Sequence, residues 1–486
     1  MKEKYDPFVI IPLYAVFYLY AVTNIPEVIY PPQGTDPYIF ELLAGVIKSK
    51  GLMLKDFPSY FFTPFYAYFV YLIRAVSPTV TLHFKLLIAV QIVIFIFSIF
   101  YFKKLIGQLF SVPVARIGFY LYALYPPILF FSVLPVKTIV EISLFTFTLY
   151  NFIRYLDDHK RIPLILSGLF MGILIHFRGA VVCLLPILLI VLYTRHNIAS
   201  VLLFLISATI CIVPFTARNL HIAHEQVLLS SVGGIHFYIG NNPHATGIYN
   251  TVQGIEPSTF GHYYDARRIA MHETKTYLTD QQVSSYWKKK GLDFIKTKPL
   301  SALLLYVKKS LLLINYVEIA NNYNFKLFTR EYTPFKFLRI PYNFTALFIA
   351  GILGFIYGKF RYRIFFILCT ASLALTTLTI FITNRYRMPL AIFLLIGTCG
   401  LIDGLRKHEF RVSSEVVIVG IILFSLSFFP AFKHPRSFLT SSYIKFEKSK
   451  DSALKRKELG AEQFEKDYYS GKLKYVSGFT NQHLFR

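Results

Sequence analysis

Long apolar runs separated by short polar and basic links dominate the chain. Eleven segments read as membrane-spanning helices: 8–25, 84–102, 117–134, 139–156, 162–177, 180–194, 198–215, 341–358, 364–382, 389–405 and 414–432. A helix needs about 20 mostly apolar residues to cross the hydrocarbon of a bilayer. The first segment has no small-residue cleavage site behind it and reads as an uncleaved signal anchor. Two other apolar stretches fit the pattern poorly. Residues 60–73 (YFFTPFYAYFVYLI) are short, aromatic and interrupted by Pro64, and residues 300–314 carry Lys308 and Lys309 at their middle. A charge at bilayer depth is costly, so both stretches are expected as helices lying in the interface. The predicted fold class is therefore all-α: a polytopic membrane bundle of eleven transmembrane helices with interfacial helices beside it.

Short loops rich in Lys and Arg stay on the cytoplasmic side. With the N-terminus inside, Lys103, Lys104, Arg116, Arg154, Lys160, Arg161 and Arg195 all fall in the cytoplasm. Lys359, Arg361, Arg363, Arg406, Lys407 and Arg411 follow them there. Had 60–73 alone crossed, Lys103 and Lys104 would lie outside. The predicted organisation is a transmembrane module over 1–215 with a first outer loop at 26–83, and a large outer loop over 216–340. Further transmembrane helices over 341–432 and a polar tail over 433–486 complete it, the tail holding an amphipathic stretch (LGAEQFEKDYYSGKLKYV). All elaborated surface then faces one side of the plasma (inner) membrane, with the C-terminus extracytoplasmic.

Composition supports this reading. Apolar residues make up 55 % and charged residues 16 % of the 486 positions, against about 25 % charged in soluble domains. The 51 basic and 26 acidic residues leave a net charge of +25. Much of that excess flanks apolar spans, which points to lipid head groups and phosphate rather than nucleic acid. The four cysteines lie in apolar segments without metal or disulfide spacing, and act there as small hydrophobes.

The outer ends of the spans collect one carboxylate and several cations from distant parts of the sequence. Asp36 and Tyr38 lie in GTDPY, Lys137 precedes Thr138 at a turn between spans, and Arg178 closes HFR. Arg218 precedes Asn219, and Arg385 and Arg387 stand in NRYR. Such a set suits transfer of a group from a phosphate: the cations stabilise the leaving anion, and a carboxylate can take the acceptor's proton. Each residue also has a plainer reading. Asp36 before Pro37 can cap a helix, the arginines can snorkel to head groups, and Glu141 can pair with Lys137 one turn away. Six histidines of the large loop (His221, His224, His236, His244, His262, His272) show no zinc-ligand spacing and read as structural or solvated. The stretch 233–249 (GGIHFYIGNNPHATGIY) lacks the lysine and following helix of a phosphate loop and reads as a turn-rich loop. The sequon Asn343-Phe344-Thr345 sits at a span entrance, an unsuitable place for glycosylation.

Several of these segments together resemble the bacterial family-39-type glycosyltransferases of the GT-C superfamily, relatives of protein O-mannosyltransferases and of the lipid A aminoarabinose transferase. The similar segments are Asp36 with Tyr38, LYPPILFFSVLPVKT, Arg218-Asn219 followed by LLSSVGGIHFYIGNNPHATGIY, DARRIA, LTDQQVSSYW, VEIANN, and NRYR followed by Pro389. They run in order from about residue 8 to 405. The resemblance implies a polyprenyl-phosphate sugar donor entering from the bilayer, and inverting transfer on the outer face with Asp36 as base. It implies Lys137, Arg218, Arg385 and Arg387 as phosphate ligands, with Tyr38, Arg178 and Asn241 as further substrate contacts. The acceptor, whether glycan, lipid or protein, stays open. Pro37 stands where many relatives carry a second acid, and Gly179-Ala180 where many carry Pro-Asn. No cofactor is assigned, and participation of a divalent metal ion stays open. A lipid-glycan transporter or flippase, or a glycan polymerase or ligase, would share the topology and the basic outer face. No internal repeat or pair of broken helices marks a transporter.

Overall fold

The computed structural model describes residues 6–31, 35–54, 61–223, 227, 229–256, 259–409 and 414–428, with a few positions between 451 and 463. The tail expected at 433–486 lies almost wholly outside them, as does its amphipathic stretch. Among the described residues the secondary structure is helical apart from one bridge between Ile248 and Ile382. The chain is an all-helical polytopic membrane protein. Among the described residues, five helical segments are long and apolar enough to cross a membrane: Asp6–Asn24, Val80–Leu109, Ile198–Ile222, Thr333–Tyr357 and Asn384–Arg406. The bent pair Val112–Ala123 and Pro126–Ser132 makes a sixth if it is one span. Its 53° bend falls where Pro126 and Pro127 interrupt the helical ladder, because a proline disfavours helical geometry in the residue before it. The other expected segments are helical too, but shorter or richer in charge, such as Thr138–Asp158, Arg161–Phe177, Arg363–Leu378 and Ser414–Ser427.

Small residues bring the helices close. Gly168 and Gly172 of Arg161–Phe177 face Ser207, Ala208 and Cys211 of the helix Ile198–Ala223. A Cβ on Gly168 would come 2.6 Å from that of Ser207. The same device joins Phe344–Tyr357 to Asn384–Arg406: a Cβ on Gly351 would sit 2.7 Å from the Leu394 carbonyl, and one on Gly354 would run into that of Gly397. Backbones that approach this closely gain dispersion contact without a hydrophobic driving force, which lipid cannot supply. The Asn384–Arg406 helix, which carries the NRYR arginines, is thereby fixed in the centre of the bundle. Thr383 caps its start, accepting from the Tyr386 amide at 3.3 Å.

Both ambiguous stretches form helices against the bundle. The first starts after Pro64 as Phe65–Ala75 and buries Tyr66, Ala67, Val70 and Ile73 on one face, with the Tyr66 hydroxyl donating to Gln91 at 2.7 Å. The second, Pro299–Ile314, exposes Leu300, Leu303, Leu304 and Val307 and turns Lys309 inward. The Lys309 ammonium donates to Asn241 Oδ1 at 3.1 Å and to the Leu378 carbonyl at 3.0 Å, so the charge is hydrogen-bonded inside protein rather than set in lipid. The expected loop at 233–249 opens instead with a helix, Gly233–Gly240. Its glycines permit contact, since a Cβ on Gly240 would lie 2.6 Å from the Ile380 carbonyl carbon; only Gly247, at φ +88°, serves a left-handed turn. Asn343 of the sequon caps Phe344–Tyr357, accepting from Ala346 at 3.0 Å.

The end of the bundle away from these loops is held by carboxylates meeting the short basic links. Asp6 pairs with Lys103 at 2.9 Å and Arg116 at 3.1 Å. Asp157 pairs with Arg361 at 2.9 Å, and Asp403 takes Ser111 at 2.8 Å and Lys407 at 2.6 Å.

Candidate functional site

At the opposite end, the first loop meets the central helix. Asp36 begins the helix Asp36–Lys50, but its N-cap is Thr35. The carboxylate is therefore not spent on capping, as the Asp-Pro sequence suggested. It reaches Arg385 instead, with Oδ2 2.6 Å from Nη1 and the two side chains 22 % and 10 % exposed. Burial would raise the Asp36 pKa. The charge and hydrogen bond of Arg385 outweigh it, helped by Lys137 and the Asn322 amide, and hold the carboxyl below its ordinary value.

The second ion pair joins Arg178, just past Arg161–Phe177, to Glu141 in the first turn of Thr138–Asp158. Sequence spacing pointed to Lys137 as the partner of Glu141; the carboxylate takes the fork-shaped guanidinium instead, with a second contact from Nη2 to Oε2 at 3.3 Å. Arg178 also donates to the Arg385 carbonyl at 3.2 Å. Both arginines lie on the Tyr386 ring, at 5.1 and 5.6 Å. Snorkelling to lipid does not describe them.

Lys137 stands between the two pairs, its ammonium 5.9 Å from the Phe40 ring centre. Removal from water lowers its pKa to about 8, and the charge of Arg385 adds to this against the pull of Glu141 and Asp36. Arg385 Nε and Thr138 Oγ1 are buried without a hydrogen-bond partner among the described residues. A loosely held cation and two unfilled polar atoms thus surround the Asp36–Arg385 pair. That arrangement suits an anion with several acceptor oxygens. If the anion held here is a lipid phosphate, it should bind more weakly as Lys137 loses its proton. We expect affinity for undecaprenyl phosphate to fall about tenfold (~1.4 kcal/mol) as pH rises through about 8. Lys137→Arg should flatten the curve, because Arg stays charged. Binding isotherms between neutral and mildly alkaline pH measure this, and a flat wild-type curve would remove Lys137 from the phosphate site.

Arg387, Arg218 and Asn241 have their partners elsewhere. Arg387 follows Arg385 by two residues, so it leaves the helix on another side. It is buried, pairs with Glu318 at 2.9 Å, and donates to the carbonyls of Leu313, Asn315 and Val317 at 3.3, 2.7 and 3.1 Å. Arg218 donates to Asn219 and to the Met53 carbonyl, both at 2.9 Å, tying its helix to the first loop. Asn241 accepts from Lys309 and donates to Phe237 and Thr379 carbonyls at 2.8 and 2.7 Å. Tyr38 is 1 % exposed in the first turn of its helix. Two residues that sequence spacing did not single out do stand near Asp36: His236 and His262 of the large loop, both within reach of its charge. His224 lies outside the described residues. Among the described residues no three His, Cys, Asp or Glu side chains come together to hold a metal ion. With Asp36 committed to Arg385 and followed by Pro37, the donor set does not fit a divalent cation.

No protein-family model matches the sequence, nor does any curated protein. Similar solved structures include the Archaeoglobus fulgidus oligosaccharyltransferase in its apo form, at 14 % identity and TM-score 0.47, covering 99 % of this chain and 61 % of that one. The archaeal enzyme in complex with an inhibitory peptide and a dolichol-phosphate gives 13 % identity and TM-score 0.42 over 98 % of this chain and 61 % of that one. Its complex with Zn and sulfate gives 14 % and 0.42, covering 97 % of this chain and 58 % of that one. The chain thus spans about three-fifths of the length of those proteins.

Proposed function

We propose that the protein is a GT-C-type membrane glycosyltransferase, moving a sugar from a polyprenyl-phosphate donor to an acceptor on the outer face of the plasma membrane. The observation that carries this reading is the Asp36–Arg385 pair beside Lys137, with Arg385 Nε left unfilled, at the loop end of a membrane bundle. The donor's prenyl chain stays in the bilayer while its phosphate meets Lys137 and Arg385. The acceptor hydroxyl attacks the anomeric carbon from the face opposite the phosphate, so the configuration inverts. Its proton passes to Asp36 while the carbon–oxygen bond to phosphate breaks. The electron pair leaves on a phosphate oxygen stabilised by the cations. Arg178, locked by Glu141, contributes through the Arg385 carbonyl and Tyr386, fixing the ring and helix start that aim Arg385.

The test is consumption of donor. The purified protein, reconstituted in lipid, is incubated with a lipid extract of its own membrane, and polyprenyl-phosphate sugars are followed by mass. Loss of one such species with appearance of a glycosylated product supports transfer. Binding without consumption across the extract would instead indicate a carrier of lipid-linked glycans.

A further inference from the structure

Two imidazoles of the large loop stand within reach of the Asp36 charge. His236 lies on the helix Gly233–Gly240 and His262 on Thr259–Thr274. Their rings meet edge to face at 5.7 Å. His262 Nε2 shares a hydrogen bond with the Tyr249 hydroxyl at 2.8 Å. The His236 ring packs against Phe381 at 5.7 Å, and Phe381 against Tyr386 at 5.6 Å. Tyr386 is the ring on which Arg178 and Arg385 rest, so the chain of contacts leads from the histidines straight to the ion pair. The Ile382 amide, donating to the Gly247 carbonyl at 2.9 Å, clamps the large loop to the start of the central helix.

Removal from water keeps both imidazoles uncharged at neutral pH, lowering His236 to about 3 and His262 to about 4. His236 is half-buried as a residue, and its ring nitrogens make no hydrogen bond among the described residues. A neutral imidazole offers one donor and one acceptor. A hydroxyl, itself donor and acceptor, matches it, whereas a protonated amine would be repelled by Lys137, Arg178 and Arg385. With the phosphate drawn to the cations, the uncharged imidazoles near Asp36 are left to the second substrate.

We infer that His236, steadied by the His262–Tyr249 pair, is the acceptor-binding residue: it hydrogen-bonds the attacking hydroxyl of a neutral, hydroxyl-bearing acceptor and turns it toward Asp36. This rests on the transfer reaction proposed above. The proton still goes to Asp36, and His236 only orients the oxygen that forms the new bond.

Two substitutions separate this role from packing against Phe381. His236→Phe keeps a ring and removes both nitrogens; His236→Gln keeps a donor and an acceptor on a different frame. The lipid extract is split into its polyprenyl-phosphate fraction and the remaining envelope material, and turnover is measured against dilution of each. His236→Phe should raise the half-saturating amount of envelope material at least about tenfold, leave that of the polyprenyl-phosphate fraction unchanged, and be partly rescued in His236→Gln. Wild-type behaviour in His236→Phe, or equal shifts for both fractions, would overturn the assignment. If the wild type itself consumes no donor, the underlying transfer reading fails, and this assignment with it.

Discussion

Asp36→Asn is expected to lower sugar transfer by about 10²- to 10⁴-fold, the range a positioned general base supplies, without loss of lipid-phosphate binding. The amide keeps the size of the carboxylate and can still accept from Arg385 Nη1. It cannot accept a proton at neutral pH. It also removes the negative charge that occupies Arg385 at 2.6 Å, leaving that guanidinium more available to phosphate. Affinity for undecaprenyl phosphate should therefore hold or rise in the variant while turnover collapses. A purely architectural Asp36 gives the opposite pattern, because Arg385 would lose its anchor and binding would weaken with turnover. Titrating both quantities on the same preparation decides between the two. Retained turnover in a folded Asp36→Asn protein would remove Asp36 as the base.

The lowered pKa of Asp36 bears on the same step. A carboxylate held below its ordinary range by a guanidinium is ionised but a poor proton acceptor. In the proposed reaction, phosphate arriving at Arg385 would share that guanidinium and add negative charge nearby, so the basicity of Asp36 would rise with the donor in place.

Much of the scaffold could be read from apolar run length, because lipid leaves the backbone few options besides the helix. Each of the eleven expected segments contains helix among its described residues, though 364–382 leaves the helix after Leu378, and the broken span at 117–134 follows from Pro126 and Pro127. What run length did not give is which of these helices cross: Thr138–Asp158 lacks the apolarity, and Arg161–Phe177 the length, of the five clear spans. The candidate site was legible as residue types at span ends but not as pairs. Asp36 and Arg385 are 349 positions apart, and Arg178 and Glu141 are 37 apart, so only the packed bundle decides their partners. The i,i+2 spacing of Arg385 and Arg387 was a usable signal, since two residues so spaced cannot share a helix face. The histidines gave no such signal. His236 sits in a glycine-flanked stretch whose weak helix propensity is overridden by close contact with Ser284 and Ile380.

Arg387→Ala is expected to act on the fold instead of on the donor. Arg387 and Glu318 are 1 % and 7 % exposed, and three backbone carbonyls depend on the same guanidinium. Breaking a buried pair from one side leaves the other charge uncompensated, at a cost of about 3–5 kcal/mol. That is a large share of the ~5–15 kcal/mol by which proteins are typically stable. The three carbonyls belong to the end of Pro299–Ile314 and to the segment that leads from it to Asn322, whose amide acts on Asp36. Its loosening should therefore lower thermal stability in detergent and, through Asn322, blur the site. Arg387→Lys should recover only part of the loss, because a single ammonium lacks the planar fork that serves several acceptors at once. Arg385→Ala provides the contrast: it should weaken donor binding while the melting temperature moves little, since the Asp36 it abandons is 22 % exposed. An Arg387→Ala protein that melts like wild type but has lost affinity for undecaprenyl phosphate would return Arg387 to the phosphate site and mean that its pair with Glu318 opens on binding.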